Sequence, residues 1–558
     1  MSRPEPIRNG KTRLRHPRDG LLWVHCCGTC SDEPSGTSSA VDNAHERPCD
    51  MRKHPLKSGA STTLFCMIAI VLALGLGNLL FGELVPAGEG FGWDGVTYAD
   101  MVRRLGAMIA DGQLSRYYSQ RILPSLIVRT ALTISGAELS NHNIILGFQL
   151  LNLLALVIGT VVWKRMTDLL SIGPSGQWIG FASLFLNYFA TKHLAYAPVT
   201  TDGLALLVNL SMLWFFLEGW PVLLLVATIA GSFVWQLTGL YGAILLIFLN
   251  QNLSATENVQ LPATISGWRQ SDRRTMRIFG LFAAIAALAV SIIVLSDLLG
   301  AVARGFVVHE AAIFLTGAPS LAIVVLAIWI LVGPIFLRRS QMALLANVPL
   351  RYFILAAAGI LIPQLAFTAL SNPDVPNPSG VLYVLKLIVF PLTGRGKFLM
   401  PFVAATLLWG PAVLVVMLRW QAVSSELRRL GLGPAGVVAA TLPLILVTEA
   451  RFILGAWPSL VLALALVLDR SGTSKFFRYL FAALTLLNTQ LWVKFNIGPW
   501  EGNDYADLTE FPKQMFFLHY GPWMGWPAYL VQLPSVLLAA YLLWISMRGK
   551  SVRSTGVG

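Results

Sequence analysis

Charge is what this chain has least of. Only 12% of its 558 residues are Asp, Glu, Lys or Arg, against roughly a quarter in an ordinary soluble domain. With 55% apolar residues and a mean hydropathy of +0.65, that scarcity excludes a soluble enzyme, a disordered chain and a nucleic-acid binder of the usual kind. Cysteine is also sparse, at five residues. Cys26, Cys27, Cys30 and Cys49 precede the first long apolar run and Cys66 lies inside it, so no disulfide framework is available outside a membrane. Cys27-x-x-Cys30, with His25 and His45 nearby, lacks the clean second pair of a zinc site.

What the chain has instead is apolar runs near twenty residues, recurring from Leu64 to Trp544. A membrane-crossing helix needs about 20 such residues. The expected fold is therefore all-α: a polytopic transmembrane helical bundle of about fourteen spans (12–14). The first seven are placed at 64–82, 144–163, 177–191, 203–217, 221–235, 238–250 and 278–296. The rest fall at 319–337, 352–370, 398–418, 434–448, 452–468, 479–493 and 527–546. The polar residues 1–60 read as a disordered or over-extended arm, with Met51, just ahead of the basic Arg52-Lys53, as the natural start. Residues 64–250 form a first membrane module and 251–546 a second, followed by a basic tail at 547–558.

The formal charge of +13 matters less than its sidedness. With the start of the first span inside, the inner segments collect 21 Lys and Arg against six acids, whereas the outer ones hold 13 basic and 15 acidic groups. Lys and Arg are retained on the cytoplasmic side, so both termini are expected there. The fifth and sixth spans must stay separate, because merging them would put the downstream arginine clusters outside. Long outer loops then fall at 83–143 and 494–526, with a shorter one at 371–397; loops of that length are often functional.

The first outer loop opens Gly92-Trp93-Asp94-Gly95. Apolar residues at 98, 101, 102, 105, 108 and 109 follow at helical spacing, with Asp100, Arg103, Arg104 and Asp111 on the other face. Such a helix suits the outer membrane surface. Thr97 and Asp100 resemble a capping box, which starts the helix just after Asp94. Farther on, Arg121 is a fixed positive charge suited to a phosphate. The plainer readings are a solvated acid or helix cap for Asp94 and an interfacial anchor for Arg121.

Other outer groups are candidates. Glu449 and Arg451 sit between two short apolar runs, where ionisable residues are costly and default to function; alternatively they pair with a neighbour and join two helices. Asp202 heads the fourth span, where a cap favoured by the helix dipole is the simpler reading. Lys192, His193, His309 and His519 are further outer groups. In the last loop Trp500 and Tyr505, among carboxylates, are suited to stacking on a sugar, with a membrane aromatic belt as the alternative.

Together these residues resemble the GT-C superfamily of membrane glycosyltransferases. Trp93-Asp94-Gly95 is similar to that family's first outer loop, and Ser119-Gln120-Arg121-Ile122-Leu123-Pro124 to its following Arg-x-x-Pro stretch. Thr200-Thr201-Asp202-Gly203-Leu204 resembles a Ser/Thr-Asp-x-Leu span start. Thr448-Glu449-Ala450-Arg451-Phe452, followed by Pro458, looks like the Glu-x-Arg-Phe of the lipid-linked mannosyltransferase branch. The likeness covers 64 to about 250 plus the patch near 449. It lacks an Asp-x-Asp pair and the branch's His-Lys before the Glu, and Gln236 stands where many relatives have Arg.

The resemblance implies an enzyme that transfers a hexosyl or pentosyl group, with inversion, from a polyprenyl-phosphate donor. The acceptor would be an extracytoplasmic glycan, lipid or protein. Asp94 would be the base, with Asp100 as a substitute, and Arg121 and Arg451 would bind the donor phosphate. Glu449, Asp202, His193, Trp500 and Tyr505 would contact substrate. Membrane lipid is a further partner and nucleic acid is not. No cofactor is firmly implied, and a divalent metal is left open. Walker A and dinucleotide glycine motifs are missing, which argues against a nucleotide-sugar donor used inside. The alternative is a lipid-linked saccharide flippase or other multi-span transporter, and the location is a bacterial inner membrane with the active site on its extracytoplasmic face.

Overall fold

The computed structural model of the chain describes residues 59–249, 348–375, 399–442, 444, 450–496 and 526–548. Among these, every regular element is a helix; a helix satisfies its own backbone where lipid offers no hydrogen bonds. In chain order the first ten are α1 (Gly59–Phe81), α2 (Trp93–Ala110), α3 (Arg116–Ser119), α4 (Ile122–Ile134) and α5 (Asn141–Leu169). They continue with α6 (Pro174–Phe185), α7 (Leu194–Tyr196), α8 (Asp202–Glu218), α9 (Pro221–Ser232) and α10 (Thr238–Ile247). Among the described residues four helical stretches are long and apolar enough to cross a membrane: Thr62–Phe81, Asn141–Leu169, Leu350–Leu370 and Tyr529–Arg548. Their outward side chains, such as Leu80, Leu365 and Leu538, are more than half exposed. Such a surface suits lipid rather than water.

Several expected spans are broken, each at an identifiable place. The 177–191 run is α6 followed by a π-turn at Phe189–His193. The 398–418 run splits into Met400–Trp409 and Ala412–Leu418, because Gly410 takes φ +82° ahead of Pro411. The 452–468 run starts as a 3-10 turn, Ala450–Gly455, and continues as Trp457–Ser471. That last helix is the centre of the core, with Trp457 through Leu468 all buried against α6 and the helix Trp420–Leu430.

α9 and α10 are two helices rather than one kinked one. Gly242 faces Thr228 and Gly239 faces Ser232, so they run antiparallel. At about 1.5 Å per residue they reach only ~18 and ~15 Å, short of the ~30 Å hydrocarbon core.

Two expectations for the first outer loop are corrected. α2 starts at Trp93, with Gly92 at φ +76° as its cap position, so Asp94 lies in the first turn and the Thr97–Asp100 pair does not set the start. Moreover, the apolar face of α2 does not lie open to a membrane surface. Tyr98, Met101, Val102 and Leu105 are buried where α2 packs on α4, which in turn packs on α5.

The segments placed outside by charge touch one another, and so do those placed inside. At one end Asn372 donates to the Gly112 carbonyl at 3.0 Å, and Leu123 N–H donates to the Phe233 carbonyl at 3.0 Å. At the other end Arg478 donates to Ser175 at 3.2 Å, and Arg470 pairs with Glu426. The spans at 278–296 and 319–337, residues 1–58 of the arm, 549–558 of the tail and residues 376–398, 445–449 and 497–525 lie outside the described residues.

Candidate functional site

The first helical turn of α2 delivers Asp94. Gly92 supplies a φ that other residues rarely adopt, and Gly95 lets the turn press against the Val199 carbonyl, 2.9 Å from where a Cβ would sit. This close approach brings Asp94 beside the segment that starts α8.

Arg121 follows α3, whose N-terminus is capped by Ser115 Oγ accepting from Tyr118 N–H. Only 3% of Arg121 is exposed. A guanidinium buried this deeply needs partners. Its Nη1 donates to Tyr98 Oη at 2.9 Å and to Asp94 Oδ2 at 3.3 Å, and its Nη2 reaches Gln236 Oε1 at 3.5 Å. The Tyr117 ring lies under it, 4.0 Å from Cζ to the centroid, an attractive cation–π arrangement. Its Nε is buried without a partner among the described residues.

Asp94 differs from Arg121 in being open, with 34% of its side chain exposed. Tyr117 Oη donates to its Oδ2 at 3.0 Å, and Tyr118 Oη approaches Oδ1 at 3.5 Å. Burial pushes the Tyr98, Tyr117 and Tyr118 phenols up, so all three stay protonated, Tyr117 and Tyr118 as donors to Asp94 and Tyr98 as an acceptor from Arg121.

A second acid–base pair lies next to the first. Asp202, the first residue of α8, does not act as the helix cap; that position is Thr201, whose side chain makes no cap bond. Instead Asp202 is buried and pairs with Arg451 Nη1 at 3.4 Å and with His193 Nε2 at 3.7 Å. His193 stacks on the Phe189 ring, with centroids 5.9 Å apart. Arg451 rides on the 3-10 turn that Trp409 holds by donating its indole N–H to the Ala450 carbonyl at 2.9 Å. The adjacent Phe452 ring meets Trp235, 5.6 Å between centroids, next to Gln236. The charges of Arg121 and Arg451 act on each other, and that of Arg121 acts on Asp202.

Five expected site residues (Asp94, Arg121, His193, Asp202 and Arg451) therefore come together from stretches far apart in the chain. Asp100 does not join them. It points away on α2 and pairs with Arg103 and Arg104, both at 3.4 Å. Glu449, Trp500 and Tyr505 lie outside the described residues. Sequence reasoning missed Tyr98 and Tyr117. The spacing was the available signal: Tyr98 stands four residues after Asp94 and Tyr117 four before Arg121.

A clamp at the same end holds the beginning of the last outer loop. Glu83 accepts from the Phe495 and Asn496 backbone N–H groups at 2.9 and 3.0 Å and pairs with Lys192 at 3.3 Å. Burial alone would raise the Glu83 carboxyl, but these N–H groups and the Lys192 charge hold it below its ordinary value.

The arrangement offers one partly open carboxylate for taking a proton, and two arginines near it for neutralising an anion. Comparison of the chain with protein-family models, with curated proteins and with solved structures finds no match.

Proposed function

We propose that this chain is an integral-membrane glycosyltransferase of the GT-C type, using a polyprenyl-phosphate sugar on the extracytoplasmic side of a bacterial inner membrane. It would have about fourteen spans and both termini in the cytoplasm. The observation that carries this reading is the meeting of Asp94, Arg121 and Arg451 at one partly open point. The short α9–α10 hairpin, whose turn reaches Arg121, supports keeping the fifth and sixth segments separate.

In the reaction an acceptor hydroxyl attacks the anomeric carbon from the side opposite the phosphate. Asp94 takes the hydroxyl proton as the new C–O bond forms. The bond from the anomeric carbon to the phosphate oxygen breaks, and its electron pair stays on that oxygen. Arg121 and Arg451 offset the charge that develops there, a role fixed donors perform well because they need no rearrangement. Tyr98 and Tyr117 hold Arg121 in place, while Asp202 and His193 hold Arg451.

Membranes containing the protein and a radiolabelled polyprenyl-phosphate sugar provide the test. Transfer is expected to collapse in Asp94→Asn and to survive in Asp100→Asn, whose pairs are local and exposed. Full transfer by the Asp94 variant would remove the assignment of the base.

A further inference from the structure

The helix Trp457–Ser471 leaves the Arg451 turn and ends, about 22 Å of helix later, at a second polar site. There a cavity of about 450 Å³ is lined by Arg419, Arg548, Ser471, Thr473, Ser474 and Trp544, among others. Ligand sites commonly occupy ~300–1,000 Å³. Neither arginine has a carboxylate partner among the described residues. Of the acids at this end, Glu426 is held by Arg429 and Arg470 and Asp168 by Lys164, and Asp469 lies against Gly173. The Arg548 guanidinium lies over the Trp544 ring, 3.4 Å from its centroid. Thr473 Oγ1 is buried with no partner among the described residues. Ser474 Oγ accepts from Phe477 N–H, which leaves its own proton to donate. Two fixed cations and hydroxyls with protons left to give, facing a cavity, are the donor set of a phosphate group.

Besides Ser546, whose hydroxyl donates to the Leu543 carbonyl, the rest of the cavity wall is mostly apolar, with Leu418, Leu468, Phe477 and Met547. Beside it the helix Trp526–Arg548 presents exposed Leu537, Leu538, Tyr541 and Ile545. A soluble phosphate would leave that apolar strip bare, whereas the chains of a lipid would cover it. By charge, this end of the bundle faces the cytoplasm, where basic pockets between helices take anionic headgroups. We propose that this cavity binds the phosphate headgroup of an anionic phospholipid of the inner leaflet, with Arg419 and Arg548 as its main contacts. The inference needs the chain to sit in a membrane but does not depend on sugar transfer.

The test uses the full-length protein exchanged from detergent with phosphatidylglycerol or phosphatidylcholine, with bound lipid counted by native mass spectrometry. Phosphatidylglycerol is expected to be retained about tenfold over phosphatidylcholine, and the R419Q/R548Q double variant to bring the two near parity. Equal retention of both lipids by the wild type, or an unchanged preference in the variant, overturns the proposal. So does displacement of the lipid by inorganic phosphate, which would make the ligand soluble. A second reading needs no arginine variant: quenching by headgroup-region spin-labelled lipids, compared between wild type and Trp544→Phe. The quenching that disappears in Trp544→Phe should be larger with phosphatidylglycerol; no excess over phosphatidylcholine contradicts the site.

Discussion

The two ends of the bundle carry the same kinds of charge and use them differently. At the Asp94 end, Arg121, Asp202 and Lys192 are buried, and their partners come from far along the chain. At the other end Lys164 and Glu426 are buried too, but Lys164 pairs with Asp168 only four residues on, and Arg429 and Arg470, which hold Glu426, are half exposed. Burying a charge costs several kcal/mol unless it is well paired. Where long-range partners meet this cost, as at the Asp94 end, the fold gains rigid, pre-placed charge, whereas half-exposed arginines contribute little. The difference is between charges fixed by partners far along the chain and charges left partly in solvent.

The comparison breaks first at Asp94. Asp94→Asn should lower transfer about 10³-fold in the membrane assay, with the protein still folded. If activity persists, the buried charges of that end are structural. Arg121→Lys keeps the charge but loses the fork that reaches Tyr98, Asp94 and Gln236 together. A loss of about 10²-fold in kcat is expected, and unaltered kinetics would reduce Arg121 to a simple cation.

The Glu83 clamp sharpens the contrast through pH. Because its carboxyl is held below the ordinary value of 4.5, its contribution to stability is present above that value. It is lost as pH falls through the lower, folded value. Thermal unfolding in detergent should show this acid-side loss in the wild type and a smaller one in Glu83→Gln; identical profiles would mean that the clamp carries no net stability. The smallest effect belongs to the exposed end, where Arg429→Ala should cost under about 1 kcal/mol. A larger loss in chemical denaturation would erase the distinction between the ends.

Much of this layout was legible in the residues. The bias of Lys and Arg sorted the loops into two groups, within each of which described contacts run, and the period of α2 showed which face is apolar. What covers that face was not legible, since lipid and protein ask for the same side chains at Tyr98, Met101 and Val102. Nor was the burial of Arg121, because an arginine beside a membrane reads as an anchor until Tyr98 and Tyr117 are known to surround it. Asp202 read as a cap for a similar reason. The position at a helix start is local information, whereas its partner Arg451 lies 249 positions away.

The turn between α9 and α10 is complete only with α4 in place. Its Phe233 carbonyl is met by the Leu123 N–H of α4, and a carbonyl abandoned in hydrocarbon is expensive. The donor leaves the ribosome roughly a hundred residues ahead of the acceptor that requires it, so the hairpin can settle against a prepared seat as it is made. A permuted gene that delivered the hairpin first would ask the membrane to tolerate an orphaned backbone group until α4 arrived.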